Sequence, residues 1–371
     1  MKIGIDARPL ISKHPSGIGT YLINILNYLN VVDRENQYFL YSNKPLEYPI
    51  TLGDNFTIRV INGKIGTLWL RYSLPQYIKA DGIQVFWGTQ HFLPKRVENV
   101  RMILTIHDVA LLINPRWGSA VNSVMQNLFL KSSARDADKI IVVSKSTGDD
   151  TIKLCGIAPE KISVIYEGCP SPVTQQLSDE DATAFKEKFN IKERFFLFVG
   201  NIEPRKNIDT IIKAFELAAA KDERIQLVLA GGLGWKYEGI LDQIKKSAFS
   251  DRIIRTGYIS SEQKNWLFGN AIAFLFPSHY EGFGLPILEA YRAGTPVITA
   301  KKSSLPEVGG DAAWYVQDEN SADELANVMD VLLSLPAEQK LMMTEKGRAR
   351  CDMFSWKHCA EQTHRLLVRK D

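Results

Sequence analysis

Short apolar runs rich in β-branched and aromatic residues recur from one end of the chain to the other, each followed by a longer amphipathic stretch. This alternation restricts the fold more than any other feature. In the first half the pattern predicts strands at residues 3–5, 38–41, 56–61, 85–87, 102–106, 140–143 and 162–165. Leu22, Ile25, Leu26 and Leu29 repeat with the period of one helix face. Residues 68–80 read as partly helical. In the second half strands are expected at 195–199, 226–230, 253–256, 272–276, 296–298 and 314–316, with helices between. Strand, helix, strand in succession makes neighbouring strands parallel, because the helix carries the chain back. A chain of 371 residues exceeds one ordinary core. The expectation is therefore an α/β protein of two doubly wound, Rossmann-like domains facing each other across a cleft. The stretch "EGCPSPVTQQLS" at 167–178, with two prolines and no period, reads as the linker. The domains are then 1–172 and 173–350, with a helical tail at 351–371.

Composition excludes several classes. With 45% hydrophobic and 23% charged residues and no run of eighteen apolar ones, the chain reads as globular, without a membrane span. Its start, Met1-Lys2-Ile3-Gly4-Ile5-Asp6, lacks a signal peptide's long apolar region, so a cytoplasmic protein is expected. Cys155, Cys169, Cys351 and Cys359 form no C-x-x-C pair and have no zinc-site spacing, so neither metal nor cofactor is called for. Residues 1–172 hold 19 Lys and Arg against 14 Asp and Glu, and the remainder 26 against 28. A mildly basic first half suits a lipid pyrophosphate or an anionic bilayer surface, and equally suits scatter about neutrality. Nothing calls for a nucleic acid.

Four loops can carry chemistry. In "DARPLISKHPSGIGTYL", Gly17 and Gly19 stand where a loop enters a helix, so backbone can approach an anion closely; the third glycine of a dinucleotide fingerprint is missing at Leu22. In "FVGNIEPRKNIDTII", Arg205 and Lys206 follow a strand's carboxyl end and precede Asn207, a plausible N-cap; together they can neutralise a diphosphate, or simply form a solvated turn. In "FPSHYEGFGLPILEAYRAGTPVI", Pro286 suits a first helical turn, with Gly282-Phe283-Gly284-Leu285 as the tight approach to it. Amides there can hold phosphate oxygens, while Glu281 and Glu289 offer carboxylates to hydroxyl pairs. In "ILTIHDVALL", His107 and Asp108 follow a strand. One histidine is weak evidence, and no Ser/His/Asp, H-E-x-x-H or Walker pattern accompanies it.

"SGIGTY", "HD", "IIVVSKST", "FVGNIEPRKN", "AGG", "GYIS" and above all "EGFGLPILEA" together resemble the retaining glycosyltransferases of family 4 (GT4) over nearly the whole length. The last stretch matches that family's E-x7-E motif at Glu281 and Glu289. The resemblance implies a GT-B fold, with acceptor binding in 1–172 and a nucleotide-diphosphate sugar in 173–350. It implies that Glu289 holds the ribose, that Glu281 meets the donor sugar's hydroxyls, and that amides of Phe283, Gly284 and Leu285 lie at the sugar or diphosphate. Lys206 then meets the diphosphate. Arg205 supplies a second cation, since Asn201 replaces the arginine that many relatives carry after the strand glycine. Gly17 and Gly19 approach the donor from the other domain, His107 lies beside the transferred sugar with Asp108 next to it, and Tyr258 and Ile259 receive the base. The tail at 351–371 resembles a terminal helix that crosses back to the first domain; a plain end helix of the second is its alternative.

By the same resemblance the expected activity is hexosyl transfer without metal. Attack comes from the front face, aided by Arg205, Lys206 and the amides, and neither Glu281 nor His107 is a nucleophile. The E-P-R-K-N form resembles bacterial O-antigen and exopolysaccharide mannosyltransferases. It implies GDP-mannose as donor and a saccharide, or an oligosaccharide linked to polyprenyl diphosphate, as acceptor, reached from the cytoplasmic face of the inner membrane. UDP- or ADP-sugars stay open as donors. A nucleotide-sugar epimerase and a non-catalytic donor-binding subunit are the rival readings. Trp69, Tyr72 and Tyr77 with Arg71 and Lys79 face either membrane and acceptor, or the core with cations reaching outward.

Overall fold

A computed structural model describes residues 1–14, 16–170 and 177–369. Its contacts divide the chain into two units, Met1–Gly168 with Phe354–Asp371, and Cys169–Met353. The sequence pattern had set these divisions at 172/173 and 350/351. Most of the expected linker, residues 171–176, lies outside the described residues.

Among the described residues the first unit holds one seven-stranded parallel sheet: β1 (Lys2–Asp6), β2 (Gln37–Ser42), β3 (Phe56–Val60), β4 (Val85–Gly88), β5 (Arg101–Ile106), β6 (Lys139–Val142) and β7 (Ile162–Val164). They lie in the order β3-β2-β1-β4-β5-β6-β7. The chain starts at the centre, winds to one edge, then returns past β1 to wind to the other. The order reverses between β1 and β4, the place where open α/β sheets leave a crevice beyond the strand ends. Ile3 and Ile5 pair with Tyr38, Leu40, Val85 and Trp87 across the two neighbours. These six side chains share one buried face of the sheet, and in β4 the residues between them are buried as well, which is why that strand reads as a continuous apolar run instead of alternating.

α1 (Gly17–Val32) buries Tyr21, Leu22, Ile25, Leu26 and Leu29 on one stripe. Cys359, Ala360 and Leu367 join the same core. They come from the last helix, Trp356–Val368, which Ser355 caps through the His358 amide. Its His364 Nε2 lies 2.9 Å from Asp33 Oδ2 at the end of α1, and Arg101 Nη1 donates to the Leu366 and Arg369 carbonyls at 2.9 and 2.8 Å. Gly168 is pressed so close that a Cβ there would stand 2.2 Å from the Trp356 nitrogen. The tail is therefore part of the first unit.

Residues 66–80 are helical with a π-helical turn at Trp69–Ser73. Trp69 is 3% exposed, and Arg71 Nη2 donates to Ser132 Oγ at 2.5 Å, so the segment packs inward at these positions and a membrane-facing Trp69 is excluded. Among the described residues no helix is long and apolar enough to cross a membrane.

Among the described residues the second unit repeats the winding with six parallel strands: β8 (Phe195–Val199), β9 (Gln226–Ala230), β10 (Ile253–Gly257), β11 (Ala273–Phe276), β12 (Val297–Ala300) and β13 (Ala313–Val316). Their order is β10-β9-β8-β11-β12-β13, with the reversal between β8 and β11. All residues of β8, β9, β11 and β12 are buried. α2 (Ile208–Ala219) covers one face with Ile208, Ile211, Ile212, Phe215 and Ala218, the i, i+3, i+4, i+7 stripe of an amphipathic helix.

Candidate functional site

The two loops leaving β8 and β11 meet because those strands are neighbours at the reversal. Adjacency in the sheet thus brings Arg205 and Lys206 to Glu281, across 75 residues of sequence. Lys206 Nζ donates to Glu281 Oε1 at 2.6 Å, and Arg205 Nη1 donates to Glu281 Oε2 at 3.1 Å and to the Tyr280 carbonyl at 2.8 Å. Arg205 Nη2 also donates to Glu203 Oε1 at 2.8 Å, and the Lys206 ammonium sits 5.0 Å from the Phe276 ring centre. Two cations and two carboxylates therefore form one ionic cluster, with the Lys206 and Glu281 side chains only 12% and 10% exposed.

Burial alone would raise the Glu281 carboxyl; the Lys206 ammonium and then the Arg205 guanidinium override it and hold it at about 2. Lys206 carries the opposite cost, since burial, with the Arg205 guanidinium adding to it, lowers its ammonium in spite of the pull of Glu281. Glu281 is consequently a carboxylate at neutral pH.

The turn bearing Glu281 is clamped from the loop after β12. Ser303 Oγ accepts the Glu281 amide at 3.0 Å, and Ser304 Oγ donates to the Glu281 and Phe283 carbonyls at 2.9 and 2.6 Å. Gly284 follows at φ 116, a left-handed conformation that a side chain would strain, and caps α3 (Leu285–Ala293). Pro286 stands in that helix's first turn, where its missing N–H costs nothing. Glu289 lies one turn further and accepts from Lys264 Nζ at 2.6 Å. Gly231, at φ 138 after β9, lets two backbones meet: a Cβ there would fall 2.1 Å from the Gly200 carbonyl oxygen.

Asn207 does not act as the expected side-chain cap. It precedes α2 in a left-handed conformation, φ 57, and its amide nitrogen donates instead to the Pro277 carbonyl at 3.1 Å and the Glu319 carbonyl at 2.5 Å. It ties the β8 and β11 loops together. Tyr258 and Ile259 follow β10, the edge strand two places from β8, and Tyr258 is 72% exposed. Sequence reasoning missed Glu203, Lys264, Ser303 and Ser304: Glu203 follows β8, the two serines follow β12, and Lys264 lies in the helix Ser261–Asn270 between β10 and β11, so each meets the site only through the fold.

In the first unit, Gly17 and Gly19 belong to the first turn of α1 itself, with Ser16 ahead of them as a cap that makes no side-chain bond. His107 follows β5 and is buried. Its Nδ1 lies 3.3 Å from Glu167 Oε1 and its Nε2 3.0 Å from the Thr89 carbonyl, with the Tyr21 ring edge-on at 4.8 Å. Asp108 Oδ1 accepts the Ala110 amide at 3.0 Å. The four cysteines are buried and free.

Comparison with known proteins follows the two units. The family described as Glycosyltransferase Family 4 matches residues 15–170, and that described as Glycosyl transferases group 1 matches 179–350. The O-antigen chain mannosyltransferase B of Escherichia coli is 30% identical over 282 residues, 75% of this chain and 72% of that protein. The serotype-specific mannosyltransferase WbdA of Escherichia coli is 31% identical over 230 residues, 60% of this chain but 28% of that much longer protein. The crystal structure of Anabaena Alr3699/HepE in complex with UDP and glucose aligns over 100% of this chain and 99% of its own, with a TM-score of 0.73 and 17% identity, a likeness of fold.

Proposed function

Because the chain belongs to the glycosyl transferases of group 1 and family 4, a family of transferases, we propose that it moves mannose from GDP-mannose to a saccharide carried on a polyprenyl diphosphate, with retention at the anomeric carbon. The observation that carries this reading is the buried cluster of Glu281, Arg205 and Lys206 at the strand reversal of the second unit. The mannosyltransferase relatives support the choice of sugar.

The cluster also sets how the residues would work. With Glu203 and Glu281 in place, Arg205 and Lys206 carry no net positive charge to spare. An arriving diphosphate shares these cations with Glu281, since Lys206 spends one of its three N–H donors on that carboxylate and the others can meet phosphate oxygens. As the phosphates take up part of the positive charge the hold on Glu281 weakens, and its carboxylate keeps acceptor capacity for a sugar hydroxyl. As the bond to the anomeric carbon breaks, charge grows on the leaving phosphate oxygens, and the same cations with the amides at Phe283, Gly284 and Leu285 stabilise it. No metal is assigned to that task, and the departing phosphate takes the acceptor's proton on the front face. Glu289 holds the ribose and Tyr258 with Ile259 the base; within the first unit, His107, Asp108, Gly17 and Gly19 are assigned to saccharide binding.

A lipid-linked acceptor needs a bilayer surface. In the first unit Ile113, Val121, Val124 and Leu128 are 41 to 71% exposed. Residues 109–135 contain no Asp or Glu but hold Arg116, Lys131 and Arg135. Exposed apolar side chains in a stretch that carries cations and no carboxylate suit an anionic membrane better than open water.

A UDP-sugar donor is the second reading, because the Anabaena structure that shares the fold holds UDP and glucose. Thermal stabilisation by matched nucleoside diphosphates and their sugars, with and without chelator, separates the two. A ligand at about 100 times its Kd adds about 2.7 kcal/mol. Selective, chelator-insensitive stabilisation by GDP and GDP-mannose is expected. A preference for UDP-sugars would discard mannose, and silence toward every nucleotide would discard the site.

A further inference from the structure

The carboxyl end of β4 flanks the strand reversal of the first unit, and three residues beyond it stands His91, to which nothing above gives a role. Its backbone is in the left-handed region, φ 62. The Phe92 amide donates to the Gln90 carbonyl at 2.7 Å and closes a three-residue turn around it. A three-residue turn with positive φ at its centre is the rare, strained form. Such strain persists where the surroundings enforce it, and it gathers at binding sites. Here the His91 amide is pinned to the Thr105 carbonyl on β5 at 2.9 Å.

The side chain adds a second, independent cost. Nδ1 of His91 is buried and has no hydrogen-bond partner among the described residues. Buried polar nitrogens are nearly always paired, so each exception asks for an explanation. The ring lies edge-on to His107, centres 5.8 Å apart at 77°, and next to Phe92 at 6.3 Å. Burial pushes the imidazole down to about 4, with Asp108 opposing and His107 adding to the fall. A neutral imidazole has one donor and one acceptor, the complement of a hydroxyl.

We propose that His91 contacts a hydroxyl of the saccharide bound at the ends of β4 and β5, beside His107, and so helps set which sugar is accepted. The proposal rests on the glycosyl-transfer reading above. A hydroxyl reaching Nδ1 supplies its missing partner. Because this nitrogen is buried, the contact requires a local movement at the turn that carries it.

The test compares His91→Phe, which keeps a ring without nitrogens, with His91→Asn, which tolerates positive φ and keeps an amide donor and acceptor. Steady-state transfer is followed while donor and acceptor are varied separately, alongside thermal stability with and without GDP. We expect His91→Phe to lose about ten- to a hundredfold in kcat/KM, with His91→Asn in between. Stability should stay at the wild-type value in His91→Asn, and the response to GDP in both; His91→Phe, with a bulky side chain in the left-handed region, should lower Tm equally with and without GDP. A KM effect on one substrate only identifies whether the hydroxyl belongs to donor or acceptor. Wild-type kcat/KM in His91→Phe would overturn the proposal, and so would a loss of turnover in His91→Asn matched by a loss of stability. Wild-type protein that transfers sugar from no donor would overturn the glycosyl-transfer reading, and this inference with it.

Discussion

Replacing Glu281 by Gln removes the one carboxylate shared by two buried cations, and the consequence for stability can be worked out. A carboxyl held at about 2 instead of 4.5 favours the folded state by about 3 kcal/mol, at about 1.4 kcal/mol per tenfold change in proton affinity. Part of this is offset at Lys206, whose ammonium is disfavoured by burial. The substitution, however, leaves that desolvation in place and removes the attraction. Breaking one side of a buried pair costs about 3–5 kcal/mol, so a loss near 3 kcal/mol is expected. For a unit of this size that lowers Tm by about 6–12 °C. The pH dependence has a definite sign: because the folded-state value is depressed, the contribution is complete above about 4.5 and disappears as pH falls through about 2. The gap between wild type and Glu281→Gln should be full at pH 7 and close toward pH 2. Urea unfolding, with hydrogen exchange in β8 and β11 to localise the change to the second unit, measures it. GDP should stabilise the variant more than wild type, since its phosphates meet cations no longer neutralised. A gap below about 0.5 kcal/mol at pH 7, or one that persists unchanged into acid, would refute the reasoning.

Three further outcomes are expected. Gly231→Ala places a Cβ 2.1 Å from the Gly200 carbonyl oxygen and should cost more than about 2 kcal/mol, whereas Gly284→Ala, with its nearest neighbours at 3.6 Å, carries only the left-handed penalty of about 1–2 kcal/mol; denaturant midpoints compare them. Glu289→Gln loses only a half-exposed pair with Lys264, so stability should change by less than about 1 kcal/mol while the nucleotide-sugar KM rises about tenfold or more in steady-state assays. Serine at Val121, Val124 and Leu128 together should abolish co-sedimentation with anionic vesicles and leave transfer to a soluble acceptor intact; unchanged co-sedimentation counts against that surface.

The sequence made the strands legible because parallel strands buried on both faces must be continuous apolar runs, as in Phe195–Val199. Gly284 and Pro286 were legible for a local reason: a left-handed cap and a first-turn proline impose their own residue types. The ionic cluster was not. Arg205 and Lys206 read as free to meet phosphate, because nothing in sequence shows that β8 and β11 are neighbours, and that adjacency alone brings Glu281 to them. Asn207 misled through its residue type, which favours caps and left-handed backbone alike. Trp69 was ambiguous until burial settled its side, and His91 sits in no motif at all.

The return of the last helix to the first unit bears on how the chain is made. Tyr21, Leu22 and Ile25 pack in one core with Cys359, Ala360 and Leu367, yet the whole second unit is translated between them. At about 5–20 residues per second, a ribosome needs about 10–40 s to travel from Gly168 to Trp356. During that interval the earlier-made unit lacks one wall of its core, while the later-made one can close on itself. The usual order, in which the first domain synthesised is the first finished, is thus reversed, and the exposed stripe of α1 is the surface a chaperone would meet on the nascent chain.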